Sequence, residues 1–231
     1  MAITVEQCWH RVPGGTATST LGTIGALAAR DDLDLIGVAA RHGSPPPAHL
    51  RPPIPVAHLP LPRLALYEAW HGLRRPGVER ATGKVDVVHG TAVAVPPSDA
   101  PLVMTIHDLA FLADPTQATR HGNRFFRRGT ELARRHARLV LVPSQATADE
   151  CVAAGFDPDR LRIVPWGVTV HDVSEADVAE ARRRHGLTRP FVLFVGTVEP
   201  RKNLAGVIGG MQALAGRDLD LVLVGPDGWN E

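Results

Sequence analysis

The stretch RPFVLFVGTVEPRKNLAGVIGGMQALAGRDLDLVLVGPDGW, Arg189 to Trp229, decides the fold. Phe191 to Val195 is a continuous apolar run closed by Gly196, and Leu219 to Val224 is a second closed by Gly225, with an apolar-periodic segment of helical length between them. Two short buried runs joined by a helical crossover make a parallel βαβ unit. The loop Gly196-Thr197-Val198-Glu199-Pro200-Arg201-Lys202-Asn203 then delivers two cations to a helix N-terminus at the carboxyl end of a strand. Free helix amides and the helix dipole favour an anion there, and α/β proteins hold phosphate at such corners. A solvated pair of cations ahead of a helix is the alternative reading. Lys84 and Lys202 are the only lysines in an arginine-rich chain.

Upstream, the same alternation recurs. Ile3 to Trp9 reads as a strand, Arg11-Val12-Pro13-Gly14-Gly15 as a glycine loop, and the following Thr/Ser/Ala/Leu/Ile segment as a helix to about Arg30. Leu33 to Ala40 is a second strand, and the proline-rich Ser44 to Pro62 is an irregular crossover carrying a short strand, Ile54 to Leu59, before the helical Leu64 to Leu73. Asp86 to His89, Leu102 to Ile106, Arg138 to Val142 and Leu161 to Val164 supply further strands. Strands alternating with helices predict an α/β fold with a Rossmann-like, doubly wound parallel sheet that binds ligands beyond its carboxyl edge. Ser144 in LVPSQAT is placed to cap the next helix, and Ser174 with Asp177 forms a capping box for a helix that Gly186 can end.

Candidate chemistry gathers at strand ends. His107 stands where the apolar run of PLVMTIHDLAFL stops, which puts its imidazole at the ligand-binding edge; a structural histidine, with Asp108 capping the next turn, is the other reading. His89 is also at a strand end and reads as structural or acceptor-side. Gly14 and Gly15 allow close approach of a phosphate or sugar, or simply make a turn. The dinucleotide fingerprint G-x-G-x-x-G, the zinc motif H-E-x-x-H, any Cys/His cluster and the G-x-S-x-G elbow are all absent. Glu199 and Asp108 both fall at strand ends, but nothing in the sequence sets them opposite one another as a hydrolase would need.

Arg120, Arg124, Arg127, Arg128, Arg134, Arg135 and Arg138 fall within one stripe of a helix around Phe125 to Leu139, with Phe125, Leu132, Ala133 and Leu139 on the other side. A solvated face is one reading, and docking to an anionic membrane surface, at most weakly, or to a phosphate-bearing acceptor is the other; Glu131 inside the stripe counts against the membrane. The chain is 44% hydrophobic and 21% charged with a formal net charge of +1, which offers no global attraction for nucleic acid. No apolar run reaches the ~18 residues of a membrane helix and no signal-peptide pattern opens the chain, so a cytoplasmic protein with at most peripheral membrane contact is expected. Cys8 and Cys151 are far apart and read as buried, reduced thiols.

FVGTVEPRKNL with LVLVGPDGW resembles the opening of the C-terminal domain of GT-B retaining glycosyltransferases of glycosyltransferase family 4. The glycine-rich first loop, the HD after a strand, the PS of LVPSQAT and the domain-crossing PWGV extend the resemblance over nearly the whole chain. It implies an acceptor-side Rossmann-like domain over 1–168, a linker with a helix over 169–189, and the first βαβ unit of a donor-binding domain over 190–231. The implied activity is transfer of a hexose, with retention and without a metal or other cofactor, from a nucleoside diphosphate sugar such as UDP- or GDP-hexose. The hydroxyl acceptor would be a glycan, a lipid-linked sugar or a small molecule. By the same resemblance Arg201, Lys202, Gly196 and Thr197 bind the donor diphosphate, Gly14 and Gly15 face the donor phosphates or acceptor, and His107 lies beside the donor sugar. The family's later Glu-x7-Glu segment has no counterpart in the sequence, so a truncated donor domain with exposed edges is expected. A noncatalytic fragment of a split or truncated enzyme is the alternative.

Overall fold

Seven short apolar segments pair side by side in the computed structural model, which describes residues 1–227 apart from the side chains of Gln117 and Arg201. They are β1 (Ala2–Thr4), β2 (Ile36–Ala39), β3 (Val56–His58), β4 (Val88–Gly90), β5 (Leu102–Thr105), β6 (Ala137–Val142) and β7 (Leu161–Ile163). All neighbours are parallel, in the order β3-β2-β1-β4-β5-β6-β7. The order reverses between β1 and β4, the switch point at which doubly wound sheets open a crevice.

Helices α1 (Gly14–Ala28), α2 (Arg63–Gly72), α3 (Glu79–Thr82), α4 (Ala110–Ala113), α5 (Arg120–His136) and α6 (Gln145–Ala153) make the connections. Successive strand side chains point to opposite faces and so feed separate apolar clusters. Ala2 and Val38 join a cluster with Trp70, Met104, Leu132 and Val140, whereas Ile3 and Ala39 join one with Ala17, Ile24 and Leu50. Gly129 of α5 is pressed against the backbone of Val93, and a Cβ there would stand 2.6 Å from Val93 Cγ2. Only glycine lets α5 settle this close to the segment after β4.

The ladder is shorter than the apolar runs. The strand expected over Ile3 to Trp9 stops at Thr4, and Glu6–Trp9 forms a 3-10 turn with Cys8 N donating to Val5 O at 3.0 Å. The helix expected to continue to Leu139 ends at His136, because Ala137 turns extended (φ −71°, ψ 129°) and pairs with Leu102. Arg138 and Leu139 are therefore strand residues and do not belong to the helical stripe. Gly14 and Gly15 do not sit on a free loop; they open α1.

The first unit spans Met1–Gly167 and a second begins at Val168. In the second, Ser174 Oγ accepts from Asp177 N at 3.2 Å while Ser174 N donates to Asp177 Oδ2 at 3.0 Å, the capping box of α7 (Glu175–His185), and Gly186 ends the helix at φ 65°. β8 (Phe191–Val195) pairs in parallel with β9 (Asp220–Val224) across α8 (Leu204–Ala213). A Cβ on Gly225 would collide with the Gly196 carbonyl, so the two strand ends meet only because residue 225 lacks a side chain. No described residue of this unit is buried, and Leu193, Val195, Leu223 and Val224 are exposed. Residues 228–231, which include the end of the expected GPDGW motif, lie outside the described residues.

Candidate active site

The carboxyl ends of β1, β4 and β5 are tied together by threonines. Thr91, just past β4, donates its amide to Thr4 Oγ1 at 2.9 Å and its hydroxyl to Thr4 O at 2.7 Å. That leaves the Thr91 carbonyl, which takes His107 Nε2 at 2.9 Å. A carbonyl only accepts, so the proton of His107 sits on Nε2, and in the neutral ring Nδ1 holds the lone pair. The ring of Trp166 lies over His107, 5.3 Å between centroids. Behind it, Thr147 Oγ1 of α6 donates to His107 O at 3.4 Å, Glu150 Oε2 accepts Leu109 N at 3.1 Å, and Asp108 Oδ1 accepts Ala110 N at 3.2 Å. The imidazole is thus held by its edge and its face, and the backbone that carries it is held by α6.

His107 borders a cavity of about 250 Å3 with Gln7, Thr16, Val93, Phe111 and Phe126. Apolar walls with a few polar groups suit a small ligand. Thr16 belongs to the first turn of α1, which no side chain caps. Gly14 (φ 58°) needs its glycine for that backbone conformation, and neither Gly14 nor Gly15 has another atom within 4 Å of a Cβ position. Both glycines are exposed at the positive end of a 15-residue helix.

In the second unit, Gly196 follows β8 and the stem of Lys202 lies over it, its Cγ, Cδ and Cε each 3.7 Å from a Gly196 Cβ position. Lys202 ends the 3-10 turn Pro200–Lys202, and Asn203 (φ 51°) caps α8 by accepting Gly206 N on Oδ1 at 3.2 Å. Gly196, Lys202 and the start of α8 therefore share one corner, with Thr197 half-buried beside it. The Arg201 backbone lies in the same turn, and its side chain is outside the described set.

His89 is buried and hydrogen-bonded to Thr105 Oγ1 at 2.8 Å, which makes it a structural residue. Burial, then the neighbouring His107, pushes its pKa from 6.5 down to about 4. Below pH 6.5 the unfolded chain takes up a proton that the folded one refuses. Stability should therefore fall between about pH 6.5 and 4, by up to roughly 3 kcal/mol from this group, and be unaffected by it above pH 7. Thermal midpoints from pH 4 to 8 should show a shallower acid limb in His89→Gln than in the wild type. Equal slopes would show that His89 does not titrate this way. His10 and His71 are held down to about 4 as well, both chiefly by burial. Cys8 and Cys151 are buried thiols pushed up to about 11 and about 12 by burial, which makes them inert.

The basic stripe on α5 is partly spent on the fold. Arg134 and Arg135 both pair with Glu131, and Arg128 Nε donates to His71 O at 3.0 Å. Ser144 Oγ caps α6 by accepting Thr147 N at 3.2 Å. Two arrangements were not anticipated from sequence: Trp166 against His107, and the buried Glu6, whose Oε2 accepts Ala40 N at 2.7 Å while Oε1 takes His42 Nε2 at 2.9 Å. Both join positions distant along the chain, so no local pattern marks them. Among the described residues no three His, Cys, Asp or Glu side chains come together as metal ligands would, and no helix is long and apolar enough to cross a membrane.

The model of Glycosyltransferase Family 4 matches residues 13–172, a span holding α1, β2 to β7, His107 and Trp166. The chain belongs to glycosyltransferase family 4. D-inositol 3-phosphate glycosyltransferase of Acidothermus cellulolyticus is 31% identical to this family 4 chain in an alignment of 204 positions that covers 76% of this chain and 45% of that protein. Among solved structures, Anabaena HepE in complex with UDP and glucose aligns with a TM-score of 0.67 at 18% identity, over 99% of this chain and 61% of HepE. Staphylococcus aureus MnaA with UDP aligns with a TM-score of 0.55 at 15% identity, over 100% of this chain and 62% of MnaA. The family 4 chain thus spans a little under half of the curated relative and about three fifths of these solved ones. The parallel sheet and helices agree with the Rossmann-like fold of these GT-B neighbours.

Proposed function

We propose that the chain serves a retaining glycosyltransferase that moves a hexose from a nucleoside diphosphate sugar to a hydroxyl acceptor without a metal. The observation that carries this reading is His107, fixed by Thr91 O and Trp166 at the carboxyl end of β5 and facing a small cavity with the start of α1. Its imidazole hydrogen-bonds the donor sugar and polarises the reaction centre; it is not a nucleophile. The unit Met1–Gly167 supplies the acceptor side. The corner of Gly196, Thr197, Arg201, Lys202 and the α8 N-terminus receives the diphosphate. As the anomeric C–O bond to phosphate breaks, charge grows on the leaving oxygen, and these cations and amides stabilise it where a metal otherwise would. The acceptor oxygen bonds to the same face of the anomeric carbon, and its proton passes to the departing diphosphate. Gly14 and Gly15, at the uncapped start of α1, border the phosphates or the acceptor.

The HepE complexes hold UDP, glucose and UDP-glucose, which supports a UDP-hexose donor class here. The relative named for D-inositol 3-phosphate supports a hydroxyl-bearing acceptor, of which a glycan, a lipid-linked sugar and a small molecule are the candidates. Any contact of the Arg120 to Arg135 face with an anionic membrane is weak on this reading, because Glu131 neutralises part of the stripe. Titration calorimetry of UDP and GDP into the purified chain in excess EDTA tests the donor assignment. One of the two diphosphates should bind, and the matching monophosphate should bind about tenfold or more weakly, having lost one charged group. Failure of both diphosphates to bind, or binding that EDTA abolishes, would overturn the metal-independent reading.

A further inference from the structure

At the amino ends of β5 and β6, the opposite edge of the sheet from His107, lies a cavity of about 590 Å3 that the proposed transfer does not use. Arg74, Arg135, His136, Arg138 and Arg160 line it, against a single lining carboxylate, Asp99. Two of these arginines have partners of opposite charge: Arg135 pairs with Glu131, and Arg160 lies 3.4 Å from Asp157. The other two do not. Arg138, exposed on β6, makes no ion pair among the described residues. Arg74, half-buried, is held only by carbonyls, with Nη1 donating to Trp70 O at 2.9 Å and Val95 O at 2.7 Å and Nη2 to Pro96 O at 3.2 Å.

Carbonyl contacts satisfy donors but carry no net charge, so the field in the pocket stays positive. The crowding is visible in the neighbours. Burial and Arg128 hold the Arg74 guanidinium below its ordinary range, and burial with Arg74, Arg135 and Arg128 holds His136 down. Among the described residues, Arg74 is also one of two non-glycine residues at positive φ, 53°, a conformation that costs energy. Guanidinium forks from separate elements around one concavity match the oxygens of phosphate, which they grip bidentately.

We infer that this arginine pocket binds a phosphate group, presented either by a free phosphate ester or by an anionic lipid headgroup. The cavity has room for a phosphate together with the small group it is attached to. Binding relieves the mutual repulsion of Arg74, Arg135, Arg138 and His136, at the end of β5 opposite to His107.

The test is calorimetric titration of inorganic phosphate and pyrophosphate into the full chain at constant ionic strength, alongside co-sedimentation with phosphatidylglycerol vesicles. Arg138→Ala and Arg160→Ala are the probes, since both side chains are exposed and should leave the thermal midpoint near wild type; Arg127→Ala, on α5 but outside the pocket, is the control. Each probe should weaken binding about tenfold, the factor that ~1.4 kcal/mol represents, and the control should not. Phosphate or pyrophosphate binding with that pattern supports the pocket and identifies a soluble ligand, while vesicle binding alone with that pattern supports it and identifies a headgroup. No binding in either arm, or binding that Arg127→Ala weakens as much as the probes, overturns the inference. UDP affinity is read at the Gly196 to Lys202 corner, whose residues are all different from those of this pocket, so loss of the donor assignment would leave this result standing.

Discussion

On the proposed function, His107→Ala should lower kcat of the intact enzyme by about a hundred- to a thousandfold, the usual cost of removing one positioned hydrogen-bonding group from a reaction centre. The fold should survive. What the substitution removes from the structure is a single bond to Thr91 O and a ring contact with Trp166, together about 1–2 kcal/mol, while α6 still holds the backbone through Thr147 and Glu150. Steady-state kinetics and the thermal midpoint, measured on the same preparation, separate the two readings. A collapsed midpoint with turnover retained would make His107 a structural residue.

Replacing Arg201 and Lys202 together by Ala should weaken nucleoside diphosphate binding by at least about a hundredfold, since charge-assisted bonds to phosphate are worth about 1.5–3 kcal/mol each. The nucleoside alone should bind as before, because neither cation touches the base on this reading. Lys202 carries the structural part of the argument through its packing on Gly196 at the start of α8. Calorimetry with the diphosphate and the nucleoside checks both halves. Unchanged diphosphate affinity would show that the corner is a solvated turn.

The strand alternation was legible because each run is apolar and closed by glycine, proline or a polar residue, and the sheet followed from it. Strand ends were not, since the apolar pattern continues past the ladder: Val5 is buried although β1 stops at Thr4. Helix α5 passes into β6 through RRHARLVLV without a glycine or proline, so nothing local marks the change at His136; Arg138 was read both into the helical stripe and as the start of a strand, and only the strand reading holds. Four-residue helices such as α3 and α4 are too short to show periodicity. At the site, His107 and Ser144 could be placed because each lies two residues past the end of a strand. The ring of Trp166, the carbonyl of Thr91 and the Glu6–His42 pair could not, because they come from segments far apart in sequence and meet only through the sheet order.

That order has a consequence for how the molecule is made. Strand β1 lies inside the sheet, and Ala2 pairs on one side with Ile36 and on the other with Val88. On the ribosome β2 can reach β1 early, but the second edge of β1 waits for roughly 85 further residues, about 4–17 s at ordinary elongation rates. Throughout that interval the strand offers an open row of backbone donors and acceptors in the nascent chain. Synonymous changes that slow translation between β3 and β4 should therefore reduce the soluble yield of this protein more than equal delays placed after β5.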